Sequence, residues 1–158
     1  MKNGSLWENA KERTIQVSGD ITGGFDLGFD AGIPEETKDA LIRFAYWVED
    51  HYALPVTLWV DFKDKHYLMG RDKKRVQYRF YWVDFENYPV FQNPDDIPVI
   101  ELPVKAGRQT MEEILTAFTE AVTHYFAWLA NMPMHDFRPD HALVGSILQR
   151  YLSKDNGE

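Results

Sequence analysis

Residues 110–132 read TMEEILTAFTEAVTHYFAWLANM, the strongest helical pattern in the chain. Ile114, Phe118, Ala121, Val122, Tyr125 and Leu129 recur at three- and four-residue spacing, which gathers them on one helix face. Thr110 and Glu113 form a capping-box pair, each side chain satisfying a backbone N–H left open by the first turn. Asn131 and Pro133 mark the end. Inside the helix, Glu120 and His124 stand one turn apart, so both side chains leave on the same side. That spacing also lets a helix offer two ligands to one metal ion.

The chain of 158 residues has the length of one domain, 1–158, with 1–12 and 153–158 read as loose tails. At 44% hydrophobic and 15% aromatic it fills a core and is not a disordered chain. A formal charge of −8 repels nucleic acid and anionic membrane surfaces, so neither is expected as a partner; oligomeric state is left open. The one basic cluster, Arg71 to Arg75, contains Asp72 and reads as a charged hairpin turn. The absence of cysteine excludes disulfides, thiolate metal sites and a cysteine nucleophile, and fits a cytoplasmic protein. No signal peptide and no membrane-spanning apolar run is read from the sequence.

Before the central helix, Thr14–Val17 alternates as a short edge strand would. Gly19 to Gly32, GDITGGFDLGFDAG, lacks the lysine of a phosphate loop and the closing glutamate of a calcium loop, and reads as a turn-rich connection. Ile33 to Tyr52 is a helix, with Pro34, Glu35 and Glu36 at its start and Leu41, Phe44, Ala45, Val48 and Tyr52 as its stripe. Val56 to Phe62 alternates as a strand, His66 to Met69 returns, and Val76 to Phe85 forms the longest strand. The short links predict an antiparallel meander of three to four strands. Ile97 to Val104 is extended, and Pro98 and Pro103 place it at an edge or rim. A last helix starts near Pro139, with Leu143, Ile147, Leu148 and Tyr151 as its stripe. The fold class is α+β: an N-terminal helix, an antiparallel sheet and two C-terminal helices.

Thr123-His124-Tyr125-Phe126 followed by Trp128 resembles the second half of the motif H-E-x-T-H-Y-F-x-W, and the arrangement over residues 34–152 resembles the small zincin metallopeptidases. The resemblance implies a zincin-like fold in which His124 matches the second histidine ligand. Glu120 stands in the place of the first histidine and Ala121 in that of the general-base glutamate. It implies a third ligand near Asp140 or His141, with His135 also in range, and an edge strand, Pro98 to Val104, lining the substrate cleft. Alanine accepts no proton, so hydrolysis by the zincin route is not expected. A remnant metal site would comprise Glu120, His124 and His141 with zinc as its ion; the simpler reading, with no cofactor, makes His124 a partly buried histidine hydrogen-bonded to a neighbour and Glu120 a surface acid.

Other constellations carry less. His135-Asp136 and Asp140-His141 lack a nucleophile elbow, since Ser146 lies mid-helix. Asp61, Asp84, Glu86 and Glu101 would need a defined separation to act as a glycosidase pair. The aromatic series Tyr78, Tyr81, Trp82, Tyr88 and Phe91, with Phe85, reads as core or as a ligand or partner surface. The leading functional expectation is a non-catalytic, zincin-like intracellular binding or accessory module. Two alternatives stand beside it: a metal-dependent hydrolase using Glu120, His124 and His141, and an acidic interaction module of inhibitor or immunity type, unrelated to zincins.

Overall fold

The sheet is built from strands that are distant in sequence and run mostly in one direction. A computed structural model describes residues 23–70, 72–83, 97–130, 132 and 138–157. Its elements are β1 (Phe25–Phe29), α1 (Glu35–His51), β2 (Leu58–Lys63), β3 (Leu68–Met69), β4 (Arg75–Val76), β5 (Arg79–Val83), β6 (Ile97–Pro103), α2 (Met111–Leu129) and α3 (His141–Gly157). The four-stranded sheet has the order β1-β2-β6-β5. β1 and β6 both run parallel to β2, and β5 runs antiparallel to β6. The class is α+β, but the sheet is mixed where an antiparallel meander is expected. The hairpin does form: β3 pairs β4 antiparallel, with Lys73 at φ 65 in its turn.

Three local readings explain the difference. Residues 25–29, FDLGF, lie within the stretch expected to be a connection, yet Phe25, Leu27 and Phe29 alternate with Asp26 and Gly28 and form β1. Gly23, just ahead, has to be glycine because a Cβ there would lie 2.2 Å from the Thr57 backbone nitrogen. β6, IPVIELP, is interior rather than at an edge. It is buried at every position but Glu101, the apolar pattern of a strand covered on both faces. Its prolines sit where ladders begin or stop: pairing with β2 starts at Val99, one residue after Pro98, and pairing with β5 ends at Glu101, two before Pro103. The expected Val76–Phe85 strand is interrupted at Gln77–Tyr78, so β4 and β5 belong to different sheets. Thr14–Val17 lies outside the described residues.

α1 and α2 cover one sheet face. Leu41, Phe44, Ala45 and Val48 of α1 and Ile114, Phe118, Ala121, Val122 and Tyr125 of α2 meet Leu58, Val60, Phe62, Ile100 and Leu102 in one core. Phe118 is its hub, with ring centroids 5.5 Å from Phe44, 5.4 Å from Phe62 and 5.6 Å from Phe25. The capping box at Thr110 and Glu113 is formed with both bonds. α3 joins through Val144 and Ile147, which are buried, and Tyr151, whose ring stands edge-on to Phe44 at 4.8 Å. Leu143, expected in that stripe, is 40% exposed, and Val144 takes its place. The α3 backbone stays helical to Gly157, where a loose tail is expected from 153. On the opposite sheet face Trp59, Ile97 and Val99 form a second buried cluster. Among the described residues no helix is long and apolar enough to cross a membrane.

One buried hydroxyl ties α2 to the sheet. Tyr125 is fully buried; its hydroxyl donates to the Val56 carbonyl and accepts from the Val56 N–H at 3.1 Å. Both groups lie two residues before β2, where no strand partner satisfies them. Tyr125→Phe should therefore cost ~1–3 kcal/mol of unfolding free energy, with an unchanged denaturant slope in a urea titration. A loss below the error of that titration would show that the hydroxyl is not a structural tie.

Candidate functional site

α2 divides the segment Glu120-Ala121-Val122-Thr123-His124 between core and surface. Ala121, Val122 and Thr123 are buried, at 0%, 2% and 4% exposure, while Glu120 and His124 are half-buried on the other side. His124 meets the residues that open β5. Its ring stacks on Phe80 at 4.7 Å and 27° and lies edge-on to Tyr78 at 5.9 Å. A hydrogen bond of 3.3 Å joins Nδ1 of His124 and the Tyr78 hydroxyl. Phe80 and Trp82 face inward with Tyr78, and Trp82 lies 6.4 Å from Trp128, one turn beyond His124.

Burial sets the charge states. Desolvation pushes the His124 pKa down to about 4, so the imidazole is neutral near pH 7. Desolvation raises the Tyr78 phenol above its ordinary range, and the neighbouring Glu120 charge adds to this, so the hydroxyl keeps its proton. Desolvation also raises the Glu120 pKa, opposed by the charge of His141. Glu120 thus lies within electrostatic reach both of Tyr78 and of His141, the exposed first residue of α3, and His124 is bonded to Tyr78.

The ligand roles implied by the resemblance are placed as follows. Asp140 caps α3: its Oδ1 accepts from the N–H groups of Ala142 at 3.0 Å and Leu143 at 3.1 Å. Among the described residues, no three or more His, Asp or Glu side chains form a group that could hold a metal ion, and Glu120, His124 and His141 are all described. His135, Asp136, Tyr88 and Phe91 lie outside the described residues, as do Asp84, Phe85 and Glu86.

The aromatic series splits between two faces. Tyr78 and Trp82 face α2, while Tyr81 is exposed on the other sheet face and donates to Glu101 Oε2 at 3.0 Å. Arg79 Nε donates to Glu101 Oε1 at 2.9 Å. Burial, then the charge and hydrogen bond of Glu101, push the Tyr81 phenol up to about 12; Asp61 adds to this and Arg79 opposes it. Asp61 and Glu101 are cross-strand neighbours, but Glu101 is committed to Arg79 and Tyr81. The partnership of Tyr78 and Phe80 with His124 is absent from the sequence reading. Its one trace is the shared inward parity of Tyr78, Phe80 and Trp82. No protein-family model, curated protein or solved structure matches this chain.

The His124 shift has a measurable sign. Between its ordinary value of 6.5 and about 4, the unfolded chain binds a proton that the folded chain refuses. Its contribution to stability is complete above pH 6.5 and is lost as pH falls toward 4. Discounted for partial solvent screening, the loss is ~1–2 kcal/mol. Glu120, with a raised pKa, acts in the opposite sense, its contribution falling as pH rises through its folded value. In urea titrations from pH 7 to 4, His124→Gln should lose stability less steeply than the parent. Equal slopes would mean that His124 titrates alike in both states.

Proposed function

We propose that the protein is a peptide-binding module that does not hydrolyse what it binds, and that it holds an extended partner segment along β5 above the Glu120–His124 side of α2. The observation that carries this reading is the position of β5. Among the described residues it is the outermost strand of the four-stranded sheet, and Tyr78 and Phe80 at its start rest on His124. An outer strand offers alternate backbone N–H and C=O groups to an added strand, whose side chains then fall alternately toward and away from the helix. The zincin-like reading of the fold belongs to the same proposal. In it an edge strand lines the cleft; the segment first matched to that strand, Pro98 to Val104, is interior over Ile97–Pro103, and the proposal gives its role to β5.

The absence of hydrolysis follows from chemistry. The position that the resemblance gives to the general base is Ala121, which carries no proton acceptor and is wholly enclosed by the core. His124, neutral and bonded to Tyr78, suits hydrogen bonding to a ligand amide more than proton transfer to a leaving group.

A labelled pool of extended decapeptides, read by fluorescence anisotropy, tests the proposal. Binding is expected, and N-methylation of a bound peptide at alternate residues should weaken it at least about tenfold in one register and little in the other, the signature of strand addition. Peptides recovered after incubation with zinc should be intact. Zinc-dependent cleavage abolished by His124→Ala, or no binding from the pool, would overturn the reading.

A further inference from the structure

We infer that the segment held along β5 carries acidic residues at one end, the end that meets the hairpin β3–β4, and that Lys73, Lys74 and Arg75 receive them. This rests on the peptide-binding reading and names the chemistry of the partner. The chain is acidic overall, but its charge is unevenly spread. Residues 63–79 hold seven of the 17 lysines and arginines and two of the 25 aspartates and glutamates, a net +5, which leaves −13 for the remainder. The fold gathers this excess at one end of the sheet. β2 stops at Lys63, opposite Pro103, and β5 begins at Arg79, opposite Glu101, so the hairpin connecting them lies where β5 begins. Arg79 Nη1 fastens it there by donating to the Met69 carbonyl at 3.0 Å.

The hairpin holds its cations outward. Lys73, Lys74 and Arg75 are exposed, as is Lys65 just ahead of β3. Asp72, the acid within the turn, bonds to the turn's own backbone: its Oδ1 accepts from the Lys74 N–H at 3.1 Å. The Gly70 N–H donates to the Lys74 carbonyl at 2.8 Å and closes the turn. The Arg75 guanidinium lies over the Tyr67 ring, 4.1 Å from its centroid. A guanidinium stacked by its face still directs N–H pairs outward in its own plane, the geometry that grips a carboxylate. Charges at a surface act over about 8 Å at physiological salt, and that range decides which anion fits. A short acidic segment beside the turn feels the hairpin first. An extended polyanion, whether nucleic acid or an anionic membrane, also meets the acidic remainder of the chain and is repelled. The field therefore selects an acidic peptide.

The test takes a decapeptide that binds from the labelled pool and extends it by three glutamates, three glutamines or three lysines, at its N terminus or at its C terminus. At one terminus the glutamate form should bind the parent about tenfold more tightly than the glutamine form, with the lysine form weakest. At the other terminus the three should differ less than about twofold, because the hairpin stands at one end of β5. In the combined variant Lys73→Gln, Lys74→Gln, Arg75→Gln the preference should fall to about one, while the unextended decapeptide binds as it does to the parent, which shows the variant folded. Should the variant lose the unextended peptide, Lys73→Gln with Lys74→Gln, which keeps Arg75 on Tyr67, is read instead and must at least halve the preference. If the decapeptide binds with no charge preference, or with the same preference at both termini, the inference falls and the peptide-binding reading stands. A preference that survives in the variants places the acids elsewhere and also overturns it. So does tight binding of polyuridylate RNA or phosphatidylserine vesicles with no glutamate preference, since the hairpin would then serve a polyanion. If no peptide binds, both readings fall together.

Discussion

Three parallel strands side by side impose the constraint from which the rest of this structure follows. Parallel neighbours cannot be joined by a tight turn, so the chain must leave the sheet and return to the same end. Between β1 and β2 it does so as α1; between β2 and β6 it makes the small β3–β4 hairpin and strand β5 before re-entering. Each excursion needs apolar cover where it crosses the sheet. Phe118 provides the meeting point, since its ring touches aromatic partners in β1, α1 and β2. Tyr125, two turns further along α2, fixes the chain that enters β2 through the backbone of Val56. The central helix is thereby held against the sheet at two depths, which leaves its rotation little freedom.

That fixed rotation decides which side chains can do chemistry. A helix turns 100° per residue, so adjacent residues cannot share a narrow face, whereas residues four apart can. With Phe118, Ala121 and Tyr125 locked inward, Glu120 and His124 must emerge together on the side where β5 lies. The same geometry removes position 121 from any surface site. A glutamate there would bury its carboxylate in the apolar core, at a cost of several kcal/mol unless a partner were supplied. Burial therefore accounts for a small apolar residue at 121.

The sequence is most legible where pattern and environment agree. The capping box, the stripe of α2, the stripe of α1 and the charged hairpin turn all follow from local spacing. The sheet is less legible because two local rules point away from its real order. Proline argues for an edge, yet Pro98 and Pro103 fall where ladders begin or end and leave β6 interior. Glycine argues for a loop, yet Gly28 sits within β1, beside Asp61, where a Cβ would lie 3.2 Å from Oδ1. The stronger signal in each case is apolar content: IPVIELP is apolar on both parities and FDLGF alternates. Parallel pairing itself leaves no mark in local sequence, because partners such as Trp59 and Val99 are brought together only by the crossover. The site was half-readable for the same reason. Helical spacing joins Glu120 to His124, but nothing in one strand's pattern names the helix residue it will rest on.

The charges on this side of α2 bear on the proposed reading of binding without turnover. Acid–base catalysis asks for a donor and an acceptor on either side of a reacting bond, each able to exchange its proton near neutral pH. Here desolvation lowers the basicity of His124 and ties it to a phenol that holds its proton, so neither is poised to exchange. Desolvation raises the Glu120 pKa as well, opposed by the charge of His141. On the proposed binding reading, backbone groups along β5 would give a bound segment its direction. The neutral imidazole of His124 stacks on Phe80 and so joins the face of α2 to β5.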